Sequence, residues 1–430
     1  MMTYFCDSPR PTSFCAHFFA AVMLGGAAAI GLAGCAPDNP GMGGMGGMGG
    51  MGGAGGMAIP PAPDMIAVPP WSGTLATSGA ADKDPSAKVV EVDLNAAPGE
   101  AEYLPGKPTQ AWMFNGTIPG PVIRANVGDD VVVHFKNDLP EPTAIHWHGV
   151  RVPNAMDGAG PATNEIPPGG TFDYQVTALD AGTFWYHPHV KASAQVDMGL
   201  YGVLIVDDPA APKLPIVGED ILVLDDVLLD PSTGARGVPD EMRVQMMGVE
   251  GNLALVSGRR SNVGVPARAG ELRLFRIVNA ANARFFRLAL AGGTMIRVGS
   301  DGGRIEKPEV AGALLLTPGE RAEILVRVDQ PGTTAMLRAT PYQRVDPGEP
   351  TVEIDLVRLV ASADPPVQTT LPATLRTIGP LGEPTVTRTI KLGEETRGME
   401  TTFLLNGAAY PNVPLVTAKL GSVEEWSLVN

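Results

Sequence analysis

The sequence has no cysteine after Cys35. All three of its cysteines, Cys6, Cys15 and Cys35, lie within the first 35 of its 430 residues. The chain that follows therefore cannot contain a disulfide bond, a zinc–thiolate site or a cysteine nucleophile. Any metal site or catalytic site in that part of the chain must use other side chains.

Charged side chains are scarce, and basic ones especially. There are 31 Lys and Arg residues against 46 Asp and Glu residues, which gives a net charge of −15 and a pI of about 4.9. Nucleic-acid binding requires a basic surface, so we expect no nucleic-acid partner. Only 18% of the residues are charged, whereas glycine (53) and proline (41) are abundant. This composition is typical of many short strands joined by turns, and the length suffices for two or three domains.

The amino terminus has the pattern of an export signal. An apolar run of small residues, 18–34, follows a short segment that contains Arg10. The run ends in Leu-Ala-Gly-Cys35, which resembles the lipobox of bacterial lipoproteins, and the resemblance implies a lipid on Cys35. Ala36 after the cysteine implies sorting to the outer membrane, so we expect a periplasmic protein that contacts the membrane only through this anchor. An ordinary signal peptide or a true membrane helix are the alternatives.

A low-complexity segment follows. Gly-Gly-Met repeats extend from Gly41 to Met57, and prolines follow between Pro60 and Pro70. Glycine-rich chain is flexible and cannot pack, so we predict a linker over residues 36–85. The alternative is that the methionine thioethers also capture Cu(I), because soft sulfur ligands favour that ion.

Four of the six histidines form two His-x-His runs. His146 and His148 flank Trp147, and His187 and His189 flank a proline. Alternate residues of a strand face the same side, so each run aims two imidazoles into one space, while Trp147 packs on the opposite face. Neutral imidazole suits copper, zinc, iron or nickel. We therefore predict a metal site, the alternative being two unrelated exposed pairs. A zinc hydrolase is disfavoured because neither run contains a carboxylate.

An internal repeat divides the chain. The stretch Gly128–Asn137 has the same glycine-to-asparagine offset as Gly270–Asn279 and Gly421–Asn430. His134 lies inside the first copy and is interpreted as structural. Three widely spaced copies indicate three β-sandwich domains. Upstream glycines recur as well, at Gly116, Gly258 and Gly407, and Asn115-Gly116 is a hairpin signal.

The predicted domains follow from this repeat. Counting nine residues past Asn279 places Leu288 and Leu290 where the first copy has His146 and His148, so the second domain is expected to lack metal ligands. The predicted segments are a signal (1–35), a linker (36–85), domain one (86–210), domain two (211–362) and the start of domain three (363–430).

These motifs together resemble the three-domain multicopper oxidases, such as laccases and bacterial copper-efflux oxidases. The resemblance implies an all-β fold of tandem cupredoxin-like Greek-key sandwiches, the third one incomplete. It implies that His146 binds a type 2 copper and that His148, His187 and His189 bind a type 3 pair. Asp157 would deliver protons to O2 bound at this cluster. The alternative for Asp157 is a turn residue, because Asp-Gly is a good turn pair.

The resemblance also defines what these residues lack. The family takes four more cluster histidines, and the two histidines and cysteine of its type 1 copper, from domain three. None of these motifs is present here. We expect a laccase-like oxidase that couples one-electron oxidation of phenolic or metal-ion donors to reduction of O2 to water, with this chain a fragment that is inactive alone. The alternative is a lipid-anchored periplasmic copper-binding protein without oxidase activity. A third possibility is a separate chain that supplies the missing ligands. Oligomeric state stays open.

Overall fold

The structure is a computed structural model that describes residues 62–73, 75, 77–160, 165–344, 352–397 and 400–430. Over these residues the chain is nearly all strand and turn, as the composition predicts. Cys35, His17 and the Gly-Gly-Met repeat lie outside the described residues, so the lipid anchor, the signal and thioether capture of Cu(I) stay predictions. The described residues divide into two compact units, one up to Thr377 and one over Ile378–Asn430.

The first sandwich consists of two four-stranded sheets. Their orders are β2-β1-β4-β6 and β3-β8-β7-β5. A short α-helix, α1 (Ala192–Asp197), follows β7, and a 3-10 turn covers Asn154–Met156. The strands are, in chain order, β1 (Val89–Leu104), β2 (Lys107–Phe114), β3 (Gly120–Asn126), β4 (Asp130–Asn137), β5 (His146–His148), β6 (Thr171–Thr177), β7 (Gly182–His187) and β8 (Gly202–Asp207).

Alternation along these strands builds the core between the two sheets. Val131, Val133 and Phe135 of β4 are buried in it, whereas His134 between them faces the outer side. Trp147 and Tyr186 enter the same core from the other sheet. A buried tryptophan between two histidines follows directly from the period-two geometry of a strand, and the predicted placement of Trp147 is confirmed.

The second sandwich pairs a seven-stranded sheet, β11-β10-β9-β13-β18-β15-β16, with a five-stranded one, β12-β20-β19-β14-β17. The helix α2 (Glu241–Met247) begins after Asp240, whose carboxylate accepts the Arg243 N–H. The strands are, in chain order, β9 (Ile216–Val227), β10 (Leu253–Val256), β11 (Arg259–Arg260), β12 (Val263–Ala267), β13 (Leu272–Asn279), β14 (Phe286–Ala291), β15 (Gly293–Ser300), β16 (Gly303–Val310), β17 (Leu314–Leu316), β18 (Arg321–Val328), β19 (Thr334–Thr340) and β20 (Ile354–Ala361).

The unit over Ile378–Asn430 contains one sheet among its described residues, in the order β23-β22-β21-β24. Apolar side chains such as Phe403 and Leu428 remain 39% and 61% exposed. A single sheet with exposed apolar residues agrees with the prediction of an incomplete third sandwich. Its strands are β21 (Val386–Arg397), β22 (Glu400–Leu405), β23 (Ala408–Ala409) and β24 (Glu424–Val429).

The sequence repeat is a structural repeat. Each copy of the repeated stretch contains one strand, and this strand pairs in parallel with an earlier strand. The pairs are β4 with β1, β13 with β9, and β24 with β21. The upstream glycine follows a residue that also has positive φ: Asn115, Ser257 and Asn406. Asn115 makes the predicted tight turn, but the strands beside it separate, because β2 pairs with β1 and β3 pairs with β8. The predicted hairpin is therefore only a turn.

The predicted equivalence of Leu288 and Leu290 with the histidines is wrong by one residue. The Asn137 side-chain amide donates to the carbonyl of Glu141, four residues on, whereas Asn279 donates to that of Arg284, five residues on. This extra loop residue shifts the register, so Leu288 is buried in the core, on the face where Ile145 lies in the first sandwich. The true counterparts of the histidines are Ala289 and Ala291, and the second sandwich still offers no ligand there.

The end of the predicted linker is packed rather than free. Met65 and Trp71 lie against the core of the second sandwich, and the Ile66 N–H donates to the Asn252 carbonyl at 2.8 Å. The Trp71 ring lies beneath the Arg260 guanidinium, 5.1 Å from its centroid. The apolar residues among and just after the prolines therefore pack this segment against the second sandwich. The domain boundaries themselves stay predictions.

Candidate metal centre

Pairing of β5 with β7 brings the two His-x-His runs together. The antiparallel register places His146 opposite His187 and His148 opposite Trp185. Directly opposed residues share one face of a sheet, so these four side chains project to the side away from the first core. His189 follows two residues after the end of β7 and continues on the same side. The geometry that sequence alternation predicts for the four histidines is the one observed.

The imidazoles converge closely. The ligand nitrogen atoms of His146, His187 and His189 all lie within 4.8 Å of one another. The fourth ring joins them, because His148 Nδ1 lies 3.2 Å from His187 Nε2. Two nitrogen atoms at that separation subtend about 100° at an ion bound at roughly 2.0–2.1 Å, a normal metal–imidazole distance. This pair of imidazoles therefore fits a shared transition metal, and the other two rings lie close enough to contribute to the same centre.

Backbone carbonyls select which nitrogen atom of two rings stays free. His146 Nδ1 lies 2.9 Å from the Asp157 carbonyl, and His187 Nδ1 lies 2.9 Å from the Pro188 carbonyl. A carbonyl only accepts, so each Nδ1 carries the proton and each Nε2 keeps its lone pair. Metal-binding histidines are usually oriented in this way, by donating the other ring N–H to a carbonyl or carboxylate.

Burial keeps the rings in the protonation state that metal binding requires. It lowers the pKa of His148 to about 3, with the nearby Arg321 charge as the second cause. Burial likewise lowers the pKa of His189 to about 4 and that of His187 well below its usual value. Desolvation disfavours the imidazolium form, so these rings are neutral at physiological pH and present lone pairs rather than protons.

Asp157 lies beside the cluster, at the end of the 3-10 turn. Its carboxylate Oδ1 is 3.4 Å from His146 Nδ1, and contact with that ring lowers the pKa of the Asp157 carboxyl. Asp157 ends a turn, as the second of its two predicted interpretations states, and its carboxylate also lies beside the cluster. The role of proton donor stays a prediction.

The walls of the site include residues that sequence reasoning missed. The Trp185 ring stacks on His187 at 4.0 Å and on His148 at 4.9 Å between centroids. Its position two residues before His187 was a usable signal, because strand alternation places both on one face. Gly319 from the second sandwich lies against His148: a side-chain Cβ at that position would be 3.1 Å from His148 Cε1. No sequence signal connects residues so far apart in the chain.

His134 is separate from this centre, as predicted, but it has acidic neighbours. Its Nδ1 lies 2.8 Å from Asp173 and its Nε2 lies 2.9 Å from Glu91. One carboxylate contacts each side of the ring, so the three groups do not converge on a common point. The arrangement is a pair of hydrogen bonds across the outer face of the β1-β4-β6 sheet.

Fold and site together define an all-β protein of cupredoxin-like sandwiches with a cluster of imidazoles that could hold a metal ion. Residues 95–211 and 227–355 match family models described as multicopper oxidase. The multicopper oxidase MmcO of Mycobacterium tuberculosis is 37% identical over 268 residues, which are 56% of this chain and 52% of that protein. The cell division protein FtsP of Xenorhabdus nematophila is 30% identical over 335 residues, 74% of this chain and 68% of that protein.

A solved structure gives the same result. The multicopper oxidase of Campylobacter jejuni, described as a metallo-oxidase, is 27% identical with a TM-score of 0.73, covering 86% of this chain and 79% of that one. The chain belongs to the multicopper oxidase family. Membership implies copper as the metal, which agrees with a donor set made of neutral imidazoles. The match to the mycobacterial relative spans only about half of that protein's length.

Proposed function

We propose that this chain carries four of the histidine ligands of the trinuclear copper cluster of a laccase-like multicopper oxidase. The reaction is one-electron oxidation of phenolic or metal-ion donors, coupled to reduction of O2 to water. The observation that supports it most directly is the convergence of four imidazoles, two of them with Nδ1 bonded to a carbonyl. Copper bound there would supply the one-electron chemistry and the site for O2.

The chain's own residues have three roles in this proposal. His146 is proposed as the type 2 ligand, and His148, His187 and His189 as type 3 ligands. The Asp157 carboxylate, 3.4 Å from His146, is ionised, so in this role it would first accept a proton from solvent water and then pass it to the cluster region. Trp185 and Gly319 close the site on the side of His148, which limits the access of bulk solvent to that ring.

Residues 36–430 lack a site that could accept electrons from the donor. A type 1 copper requires a cysteine thiolate, and these residues contain none. We therefore propose that the 430 residues bind copper but do not oxidise a donor by themselves. The second candidate, a lipid-anchored periplasmic copper-binding protein without oxidase activity, would need only the four clustered histidines as ligands. Relatives named as cell division proteins are a further reason to test activity directly.

Copper titration of the purified 430-residue chain tests the proposal. We expect Cu(II) binding that His187→Ala weakens strongly and that His134→Ala, at a matched strand histidine outside the cluster, leaves intact. Oxygen uptake with a phenolic donor should stay at background for the wild-type chain and for both variants. Equal copper binding by His187→Ala would contradict the site, and copper-dependent oxygen uptake by the verified chain would contradict the proposed need for further ligands.

We also propose that the protein is exported and anchored by lipid on Cys35 at the periplasmic face of the outer membrane. The support is the lipobox-like sequence, and Cys35 lies outside the described residues. No helix among the described residues has the length and apolar character to span a membrane. Cells fed a clickable fatty acid should label the wild-type protein and fail to label Cys35→Ala. Equal labelling of both would remove the anchor from the proposal.

A further inference from the structure

His189 is held differently from the other three histidines. His146, His148 and His187 lie within β5 and β7, where the antiparallel register fixes their separations. His189 lies beyond the end of β7, in the segment that leads into α1 (Ala192–Asp197). No ladder hydrogen bond defines its place. The position of its ring therefore depends on how α1 is attached to the rest of the sandwich.

The α1 helix cannot hold itself in place. It has six residues, and its N-cap residue, Lys191, makes no side-chain capping bond. Isolated helices this short are unstable in water, so tertiary contacts must fix it. An exposed ion pair from Lys191 to Glu141 contributes little, because exposed pairs are worth about 0–1 kcal/mol.

Gln195 makes the buried attachment of α1 to the segment before β5, whereas Asp197 at the end of the helix bonds Arg236 of the second sandwich. The Gln195 side chain is fully buried, and its Oε1 accepts a hydrogen bond from Thr143 Oγ1 at 2.7 Å. Its Nε2 donates to Glu141 Oε1 at 2.8 Å and to the Pro142 carbonyl at 2.9 Å. All three partners lie in the segment 141–143, just before β5. One amide thus joins the chain that follows His189 to the chain that precedes His146.

We propose that Gln195 is a positioning residue for the metal centre: it fixes α1 against residues 141–143 and so sets His189 relative to the histidines on β5. The inference rests on the proposed copper site. Gln195 touches none of the histidine ring nitrogens, and it acts only through the backbone between His189 and α1. Removing its hydrogen bonds should release His189 while the β5–β7 ladder keeps the other three rings in place.

A double-mutant cycle with Gln195→Met and His189→Ala tests this. Methionine keeps the length and volume of glutamine but loses all three hydrogen bonds. We expect Gln195→Met to weaken Cu(II) binding about ten- to a hundredfold, the loss typical when a group that orients a metal ligand is removed. In the His189→Ala background the same change should leave the affinity unaltered. The Cu(II) EPR spectrum of Gln195→Met should approach that of His189→Ala.

Asn252→Ala provides the matched control for general destabilisation. Asn252 is a buried amide of the second sandwich that bonds the Leu229 N–H and carbonyl. The Asn252→Ala substitution should lower the melting temperature of the protein without changing its copper affinity. If Gln195→Met binds copper as tightly as wild type, or if its loss persists in the His189→Ala background, the inference is overturned and the proposed copper site stands. If the wild-type chain binds no copper, the proposed function fails, and the inference fails with it.

Discussion

At the residue scale, Asp157 contacts His146 through two different groups. Its backbone carbonyl is 2.9 Å from His146 Nδ1, while its carboxylate oxygen is 3.4 Å away. The shorter contact orients the ring and does not depend on the side chain. The proposed proton-delivery role depends on the side chain alone. Substitution can therefore separate the two.

We predict that Asp157→Ala weakens Cu(II) binding far less than His146→Ala does. The carbonyl that orients the ring remains after the substitution, whereas His146→Ala removes a ligand. Calorimetric titration of both variants with Cu(II) measures the difference. Losses of equal size would show that the carboxylate, rather than the carbonyl, holds His146 for the metal.

His134 gives a prediction about pH. Hydrogen bonds to Asp173 and then to Glu91 raise the pKa of His134. A raised folded-state pKa means that the stabilisation is fully present below the unfolded value of about 6.5 and is lost as pH rises through the folded value. The ring is partly exposed, so the effect should stay below about 1 kcal/mol. His134→Gln should lower the melting temperature near pH 6 and not near pH 9. A difference that grows with pH would refute this.

Part of the centre could be predicted from sequence at this scale, because strand alternation places His146 and His148 on one face and Trp147 on the other. The pairing of β5 with β7, which brings His187 to the same face, does not follow from alternation. The roles of the Asp157 and Pro188 carbonyls could not be predicted either. A backbone acceptor has no residue identity, so no sequence pattern records it. The contact of Gly319 with His148 could not be predicted for a different reason: only the packing of the two sandwiches brings the two residues together.

At the scale of elements, the repeated turns offer a matched pair of glycines. Gly116 and Gly258 occupy the same place in two copies and have nearly equal φ, 72° and 71°. Their surroundings differ. A Cβ on Gly116 would meet nothing within 4 Å, whereas one on Gly258 would lie 1.9 Å from the Ile118 carbonyl oxygen.

Gly116→Ala should therefore cost about 1–2 kcal/mol, which is the strain of an L-residue in the left-handed region. Gly258→Ala should cost clearly more, because the backbone at Ile118 must also move. Urea unfolding of both variants checks the order. Equal losses would show that the loop around Ile118 yields easily.

The register error at Leu288 shows the limit of counting along a chain. The two copies have equivalent strands, but the loop that follows the asparagine differs in length. The Asn279 side chain spans a loop one residue longer than the loop that the Asn137 side chain spans. Loop length leaves no periodic signal, and a shift of one residue exchanges the two faces of a strand. The segment with Met65 and Trp71 was missed similarly, because its prolines suggest free linker while its apolar residues pack.

At the scale of the whole molecule, the two sandwiches of the larger unit share a buried ionic network. Arg276 of β13 bonds Glu323 of β18 at 2.6 Å, Glu219 of β9 at 2.7 Å and Asp207 of β8 at 3.0 Å. Thr183 of β7 also donates to Glu323 at 2.8 Å. Strands of both sandwiches therefore meet at one guanidinium.

We predict that Glu323→Ala destabilises the protein by about 1–3 kcal/mol, because Thr183 loses its buried acceptor while Arg276 keeps Glu219 and Asp207. The double variant Arg276→Met with Glu323→Leu should recover most of that loss, since buried ion pairs are often replaced by apolar groups at little cost. Guanidinium unfolding of the two variants is the measurement. A double variant less stable than Glu323→Ala would mean that the network contributes more than charge balance.

Trp185 belongs both to the metal centre and to the apolar cluster that joins the sandwiches, where it packs with Val223 and Val278. Its indole also lies against His148 and His187. The chain therefore contains a built-in optical reporter. Paramagnetic Cu(II) arriving at either imidazole should quench the emission of this indole, while separation of the sandwiches should shift that emission to longer wavelength. With Trp185→Phe as the blank, one fluorescence trace would distinguish metal loading from domain opening.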